Sequence, residues 1–470
     1  MVFSSLQFIF IFLPVFLAVY FVISGEWKNA WIFAASMVFY GVGTISRPQY
    51  ILLLFASVIV NFLIGKILSA RHGKKHKIIF IIGILYNLAW LCMFKYSDFI
   101  IENIAAFAKM QGSTNLPQPW NLIMPLGISF YTFKNISYLA DVYQKKIEAE
   151  TSFVNYGVYL TMFPQLISGP IERYSQMQER LTHRHISFAG LDAGLKQFTI
   201  GLGLKMLLAD RIGSCWTDIQ TIGFDSISAP VAWMGIFAYS FQLYFDFYGY
   251  TLMATGIGTM MGFETPDNFS HPYESLSMTE FWRRWHMTLG SWFREYVYIP
   301  LGGNRKAVPR VYLNLFIVWL LTGIWHGAGW NFILWGVLLF AVIAVEKAGL
   351  KKKLDARPVL GHLYMLFLIP LSWMIFAITD IGQLGVYVTR LVDVLGTGSD
   401  TVYAGDFAKF TGTYGILMLV CLIFCTSLPK RIFSRVQDTL LESVVLFFLF
   451  WASVYLVYLG LSDPFMYFRF

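Results

Sequence analysis

Two histidines occupy positions from which a proton could be moved away from bulk water. His326 lies in LLTGIWHGAGWNFILWG, at the foot of an apolar stretch and just before the turn Gly327-Ala328-Gly329, with Trp325 beside it. His286 lies in SMTEFWRRWHMTLGSWFREY (277–296), one helical turn from Trp282 and Leu289 and therefore on the apolar side of an amphipathic pattern. Imidazole is the side chain best matched to taking a proton near neutral pH. Other polar groups recur in apolar context: Asn135, Asp141, Glu172, Arg173 and Asp246. Arg283, Arg284, Arg305 and Lys306 supply fixed positive charge. The run LGGNRK (301–306) has the composition of a phosphate cradle, and equally that of a Gly-rich turn. No GxSxG elbow, HExxH, Walker or dinucleotide fingerprint accompanies these groups. The set suits general-base activation of a hydroxyl better than metal or redox chemistry, so no metal site and no bound cofactor are expected.

The elements that must position these residues are membrane spans. Of 470 residues, 57% are apolar and only 13% charged, about half the ~25% usual in soluble domains. Forty-four Phe, 26 Tyr and 15 Trp fit lipid-facing surfaces and interfacial belts. Clear apolar runs cover 6–24, 29–45, 49–70, 77–96, 312–327, 330–346, 359–379, 412–428 and 440–461. The first lacks a basic n-region and is read as a retained span rather than a cleaved signal. Four more apolar stretches (120–140, 152–168, 192–210 and 229–262) are interrupted by Gly, Pro and charges, which is tolerated at membrane depth only inside protein or around water. The expected architecture is all-α and polytopic, about eleven transmembrane helices with re-entrant and amphipathic helices around a central tunnel. A single membrane domain fills 1–470: frame spans over 1–118, the working core over 119–335, further frame spans over 336–461, and a tail over 462–470.

The net charge of +8 needs no nucleic acid, because the basic residues cluster in short loops that set orientation. Arg71, Lys74, Lys75 and Lys77, then Lys347 and Lys351 to Lys353, then Lys430, Arg431 and Arg435 mark three cytoplasmic loops. Counting outward, the last span exits and the tail is extracytoplasmic. Residues 311–327 reach only ~25 Å as a helix, less than the ~30 Å bilayer core. The turn after His326 is therefore expected inside the membrane, in a hairpin, where an ionisable residue is functional by default or a hydrogen-bonded core group. Ser277 and Glu280 form a capping box that starts a helix over 277–296; spacing alone leaves open that this helix is an interfacial anchor with His286 incidental. Ala254, Gly258 and Gly262 make a close-packing stripe. Cys92, Cys215, Cys421 and Cys425 lie in or beside apolar stretches and read as packing residues.

The segments MPLGISFYTFKNISYLADVY, FPQLISGPIERY, MTEFWRRWHMTLGSWFREYVYIPLGGNR and LTGIWHGAGWNFILWG closely resemble the membrane-bound O-acyltransferase (MBOAT) family, and within it the bacterial alginate O-acetyltransferase branch. The likeness extends over most of the chain and is strongest over about 120–335. It implies an enzyme that takes an acyl group, acetyl above all, from a cytoplasmic thioester such as acetyl-CoA and moves it toward an extracytoplasmic polysaccharide. The family's two histidines fall on His326 and His286. The tail Phe465-Met466-Tyr467-Phe468-Arg469-Phe470 is similar to the ending of a small protein that partners the D-alanyl-transferring relatives, which implies an acyl relay at Tyr467; read alone, it is equally an aromatic anchor.

In that scheme His326 takes the phenol proton, Arg283, Arg284, Arg305 and Lys306 hold donor phosphates, and Asn135, Asp141, Asp246 and Trp325 support them. The expected partners are an extracytoplasmic SGNH-type acetyltransferase or esterase, the polysaccharide synthesis machinery and membrane lipid, at a bacterial cytoplasmic membrane. A transporter or flippase, a scaffold subunit of an export complex, and D-alanyl transfer within the family are the other readings.

Overall fold

The computed structural model describes residues 2–71, 73–393, 402–461 and 466. Regular structure among them is helical, and the only β-type pairing is an isolated antiparallel bridge between Phe269 and Trp285. Seven described helices are long and apolar enough to cross a membrane: Gln49–Ser69, Gly73–Met110, Val308–His326, Trp330–Asp355, Pro358–Ala377, Asp406–Phe424 and Leu440–Tyr458. They coincide with seven of the nine clear apolar runs. The other two runs form shorter helices, a π-wound Phe8–Phe12 continuing into Leu13–Val22, and Lys28–Gly43. The interrupted stretches behave as their breakers dictate. Phe153–Thr161 stops before Pro164, and Phe188–Gly203 passes into a π-helical turn, Leu204–Ala209. Ala229–Met260 is long, but its Gly, Tyr, Gln242 and Asp246 keep it less apolar than a lipid-exposed span.

The chain falls into two compact units, and all their boundaries lie inside the stretch read as the working core. The first comprises Met1–Gln197 and Ala254–Pro266. Its helices are tied by buried amides that bond to one another. Asn87 Nδ2 donates to Asn61 Oδ1 (2.6 Å), Asn135 Nδ2 to Ser57 Oγ and Asn87 Oδ1 (both 3.0 Å), and Tyr156 Oη to Asn135 Oδ1 (2.7 Å). Four helices thus meet at one network, which in a low-dielectric interior is worth more than its pairs taken singly. A second chain of bonds absorbs the charges of SGPIERY. Lys134 Nζ donates to Tyr159 O and Gln165 Oε1, Gln165 Nε2 to Glu172 Oε2, and Arg180 Nη1 to Glu172 Oε1. Asp141 lies 3.7 Å from Lys146. The expected stripe of Ala254, Gly258 and Gly262 is less intimate than a neighbouring pair: a Cβ on Gly194 would stand 2.4 Å from Gly256 O.

The second unit comprises Phe198–Met253 and Asp267–Phe470. Here Gly201 and Gly249 bring two helices into backbone contact, since a Cβ on Gly249 would meet Gly201 O at 2.6 Å. That approach places Lys205, on the π-helical turn, between Asp246 (2.7 Å) and Asp210 (3.0 Å), all three nearly sealed from solvent. Val308–His326 and Trp330–Val345 form the expected hairpin. Gly323 and Gly336 set its spacing. A Cβ on Gly323 would lie 2.3 Å from Phe332 O, and one on Gly336 2.5 Å from Trp319 O.

Replacing a helical Gly by Ala ordinarily favours the helix by ~1 kcal/mol. At Gly323 the obstacle is a backbone carbonyl, and forcing helices apart costs ~1–3 kcal/mol, so the clash wins. Gly323→Ala is expected to lower the melting temperature of the detergent-purified protein. Gly385→Ala, at an exposed helical position with no atom within 4 Å of the new Cβ, is expected to leave it unchanged or raise it. Equal shifts at both positions would contradict this account of the hairpin.

Candidate active site

The amphipathic segment 277–296 starts as its sequence requires. Ser277 Oγ accepts from Glu280 N (3.2 Å), and Glu280 Oε2 accepts from Leu276 N. The buried Glu346 carboxylate reinforces this start, accepting from Met278 N (2.7 Å), Thr279 N (2.8 Å), Thr279 Oγ1 (2.5 Å) and Tyr364 Oη (3.1 Å). A carboxylate among the first N–H groups of a helix is stabilised both by hydrogen bonds and by the helix dipole.

The single helix expected over 277–296 is not formed. Met278–Arg284 ends at Trp285, which extends to bridge Phe269; His286 takes a left-handed conformation (φ 44°, ψ 53°), and a new helix runs over Met287–Phe293. The break is held from the loop before the helix, where Ser270 N donates to Arg284 O (2.9 Å) and Met287 N to Asn268 O (3.0 Å). Pairing with this loop satisfies Arg284 O and Met287 N, whose helical partners the break removes. Periodicity along the segment carries no sign of it.

His286 is buried, its ring edge-on to Phe247 with centroids 4.8 Å apart. Its Nδ1 lies 3.2 Å from Asn268 Oδ1. The same oxygen accepts from Thr288 N (3.3 Å) and Thr288 Oγ1 (2.7 Å). A backbone N–H can only donate, so the amide oxygen must face this side, and Nδ1 must carry the ring hydrogen. Nε2 then bears the lone pair. His286 lies outside the seven span-length helices, and burial pushes its imidazole down to about 3, so the ring is neutral at any physiological pH.

His326 ends the first arm of the hairpin, buried in an aromatic box. Its ring centroid lies 5.0 Å from Trp325, 5.1 Å from Trp335 and 5.2 Å from Phe376, each edge-to-face. Asn331 Nδ2 donates to Ile375 O (3.2 Å) and Phe376 O (3.1 Å), fixing the end of Pro358–Ala377 and with it the Phe376 wall. The turn at Gly327 has room for nothing larger, because a Cβ there would lie 2.0 Å from the Phe332 ring. Trp325 links the two histidines, with its centroid also 6.4 Å from His286.

A cavity of about 230 Å³ opens beside His286. Trp282, Leu289, Phe293 and Trp319 give it apolar walls, and Arg283, Arg294 and Tyr298 contribute its polar lining. His326 is not part of the lining. Of the four cations expected to serve together, Arg283 lines the cavity, whereas Arg284 is paired with Glu280 at 2.5 Å. Arg305 and Lys306 sit on the Gly-rich turn, which Asn314 Nδ2 binds through Leu301 O and Gly303 O. Tyr298 joins that turn to the cavity by donating to Asn304 Oδ1 (2.7 Å). Arg294 was not singled out in the sequence, where one Arg of an amphipathic face looks like another.

Asp246 belongs to the Lys205–Asp210 cluster, and its Oδ2 accepts from Met466 N at 2.8 Å. Met466 is buried. The chain end is thus held inside the second unit at the residue before Tyr467, which itself lies outside the described residues. Lys205, a lone cation in an apolar run, was the overlooked signal for this cluster. Asn135 and Asp141 belong to the first unit and are engaged there.

The model of the MBOAT, membrane-bound O-acyltransferase family, matches residues 147–351. The alginate O-acetylase AlgI (a probable assignment) of Pseudomonas aeruginosa is 37% identical over 80% of this chain and 72% of its own length. A peptidoglycan O-acetyltransferase of Helicobacter pylori is 32% identical and spans the whole chain and 98% of its own length. A teichoic acid D-alanyltransferase of Bacillus subtilis is 31% identical over 47% of the chain and 58% of its own length. With its multi-pass helical architecture, its two buried histidines and a relative matching along its full length, the chain belongs to the membrane-bound O-acyltransferase family and is an O-acyltransferase.

Proposed function

We propose that this enzyme takes an acetyl group from a cytoplasmic thioester, acetyl-CoA, and passes it through the membrane for O-acetylation of an extracytoplasmic polysaccharide. The supporting observation is the apolar-walled cavity that His286 lines together with Arg283 and Arg294. An acyl thioester has an apolar reacting end and a polyanionic one, and arginine is suited to phosphate oxygens. The acetyl group itself is inferred from the alginate and peptidoglycan acetyltransferases.

The transfer runs in two steps, with Tyr467 as the relay. In the first, the Tyr467 oxygen attacks the thioester carbonyl carbon; a C–O bond forms, the C–S bond breaks, and the phenol proton passes to histidine and on to the departing thiolate. Because the cavity is lined by His286 and not His326, this step is assigned to His286, in place of the role first expected of His326. In the second, a hydroxyl attacks the aryl ester with His326 as general base, and the phenol is regenerated. A phenol (pKa ~10) and a thiol (~8.5) are close as leaving groups, so the first exchange is nearly balanced and the second runs downhill. The acceptor hydroxyl belongs to the polysaccharide or to an SGNH-type partner that serves it. The burial of Met466, the residue before Tyr467, against Asp246 in the unit that holds both histidines supports the relay.

Enzyme in lipid vesicles with radiolabelled acetyl-CoA tests this assignment. Wild type is expected to retain label covalently, and Tyr467→Phe to retain none. His286→Gln should slow labelling by ~10²–10⁴, whereas His326→Gln should label and then fail to pass the acetyl group to acceptor. Identical behaviour of the two histidine variants would overturn the division of roles; an unlabelled wild type with its partner present would overturn the acetyl-transfer reading.

The cavity makes a separate prediction. Arg283→Gln and Arg294→Gln are each expected to raise the donor KM roughly tenfold, the loss of about one charged hydrogen bond, while kcat changes little. An unchanged KM in the double variant would exclude the cavity as the donor entrance.

A further inference from the structure

Asn268 meets His286 in an arrangement that secondary structure alone does not require. Its side-chain oxygen accepts three bonds, from His286 Nδ1, Thr288 N and Thr288 Oγ1. Its Nδ2, in a residue 1% exposed, finds no acceptor among the described residues. An unmet buried donor costs ~1–3 kcal/mol. An aspartate would keep all three accepted bonds and strand no donor, but it would bury a carboxylate. The chemistry of the neighbour favours Asn. A carboxylate against Nδ1–H stabilises imidazolium and fills the lone pair on Nε2 with a proton; a neutral amide oxygen holds the same tautomer without doing so.

We propose that Asn268 is a positioning residue of the acyl transfer, holding His286 as the neutral Nδ1–H tautomer with the Nε2 lone pair available to the attacking hydroxyl. The proposal rests on His286 serving as the proton acceptor of the first step. It also accounts for the strained backbone at His286. A left-handed conformation costs a non-glycine residue ~1–2 kcal/mol, and here the Asn268 carbonyl and side chain hold both sides of it, through Met287 N and Nδ1. The charged and titratable groups lining the adjoining cavity are Arg283, Arg294 and Tyr298. Burial of the ring favours the neutral state, which Asn268 leaves undisturbed. The aromatic groups packed on the ring, Phe247 and Trp325, carry no titratable proton in this range.

Two measurements test this, one of them independent of turnover. Solid-state ¹⁵N spectra of histidine-labelled enzyme in lipid should contain a neutral Nδ1–H ring, assigned to His286 by its absence in His286→Gln. That signal should disappear in Asn268→Leu. An Nε2–H ring at His286 in the wild type would overturn the proposal whether or not the enzyme transfers acetyl. The second measurement is the pH profile of self-labelling from acetyl-CoA. Wild type is expected to be flat from pH 5 to 8. Asn268→Asp, which preserves the accepted bonds and so the fold at Thr288, should gain an acid limb below about pH 6, the size of shift an adjacent carboxylate produces. At pH 5 it should label at least ~10 times more slowly than at pH 8. An Asn268→Asp profile matching wild type would overturn the positioning role, whereas a wild type that does not label at all would count against the acetyl-transfer reading and leave the spectral result to decide the tautomer.

Discussion

A polar atom removed from water must be paired by the chain itself, and most of this structure follows from that requirement. Leaving an amide or hydroxyl unpaired in an apolar setting costs several kcal/mol, and an ion far more. The chain contains many such groups: Asn61, Asn87, Asn135, Lys134, Glu172, Lys205, Asp210, Asp246 and Glu346 are all nearly sealed from solvent. Each is matched by type. Gln165 turns its oxygen to the Lys134 ammonium and its amide to the Glu172 carboxylate, and Lys205 sits between two carboxylates. These pairings join helices that apolar packing alone would leave free to slide, because lipid competes well for apolar surface and poorly for a buried amide.

The same requirement shapes the reactive groups. His286 and His326 are both buried among aromatic rings. Their surroundings differ in kind. His326 is held by aromatic edges and a Gly-lined hairpin turn, and its wall depends on the Asn331 clamp. His286 is held by a hydrogen bond at a break in a helix, beside a cavity with arginines in its lining. One site is shaped by packing and the other by polar contacts.

Glycine placement connects the two. The hairpin bearing His326 closes because Gly323 and Gly336 admit backbone carbonyls, and the Lys205 cluster forms because Gly201 and Gly249 do the same. Backbone approach of this kind gains dispersion contacts without the entropy of ordering long side chains. It also bears on Met466, since the Asp246 that pairs with Lys205 is the residue that accepts from Met466 N.

What the sequence determined by itself is what local pattern encodes. Seven spans, the hairpin with His326 at its turn, the Ser277 start and the family segments are all written in contiguous residues, as runs of apolar side chains, a GAG turn or a capping pair. Tertiary structure decided the rest. The helix over 277–296 breaks because Asn268 and Ser270, seven or more residues upstream, supply the bonds it gives up. Arg284 is spent on Glu280 while Arg294 reaches the cavity, a choice invisible among arginines on one amphipathic face. Asp246 finds Lys205 and Asp210 only once Gly201 and Gly249 have met. In each case the deciding energy is a pairing between groups distant along the chain, and periodicity holds no record of such pairings.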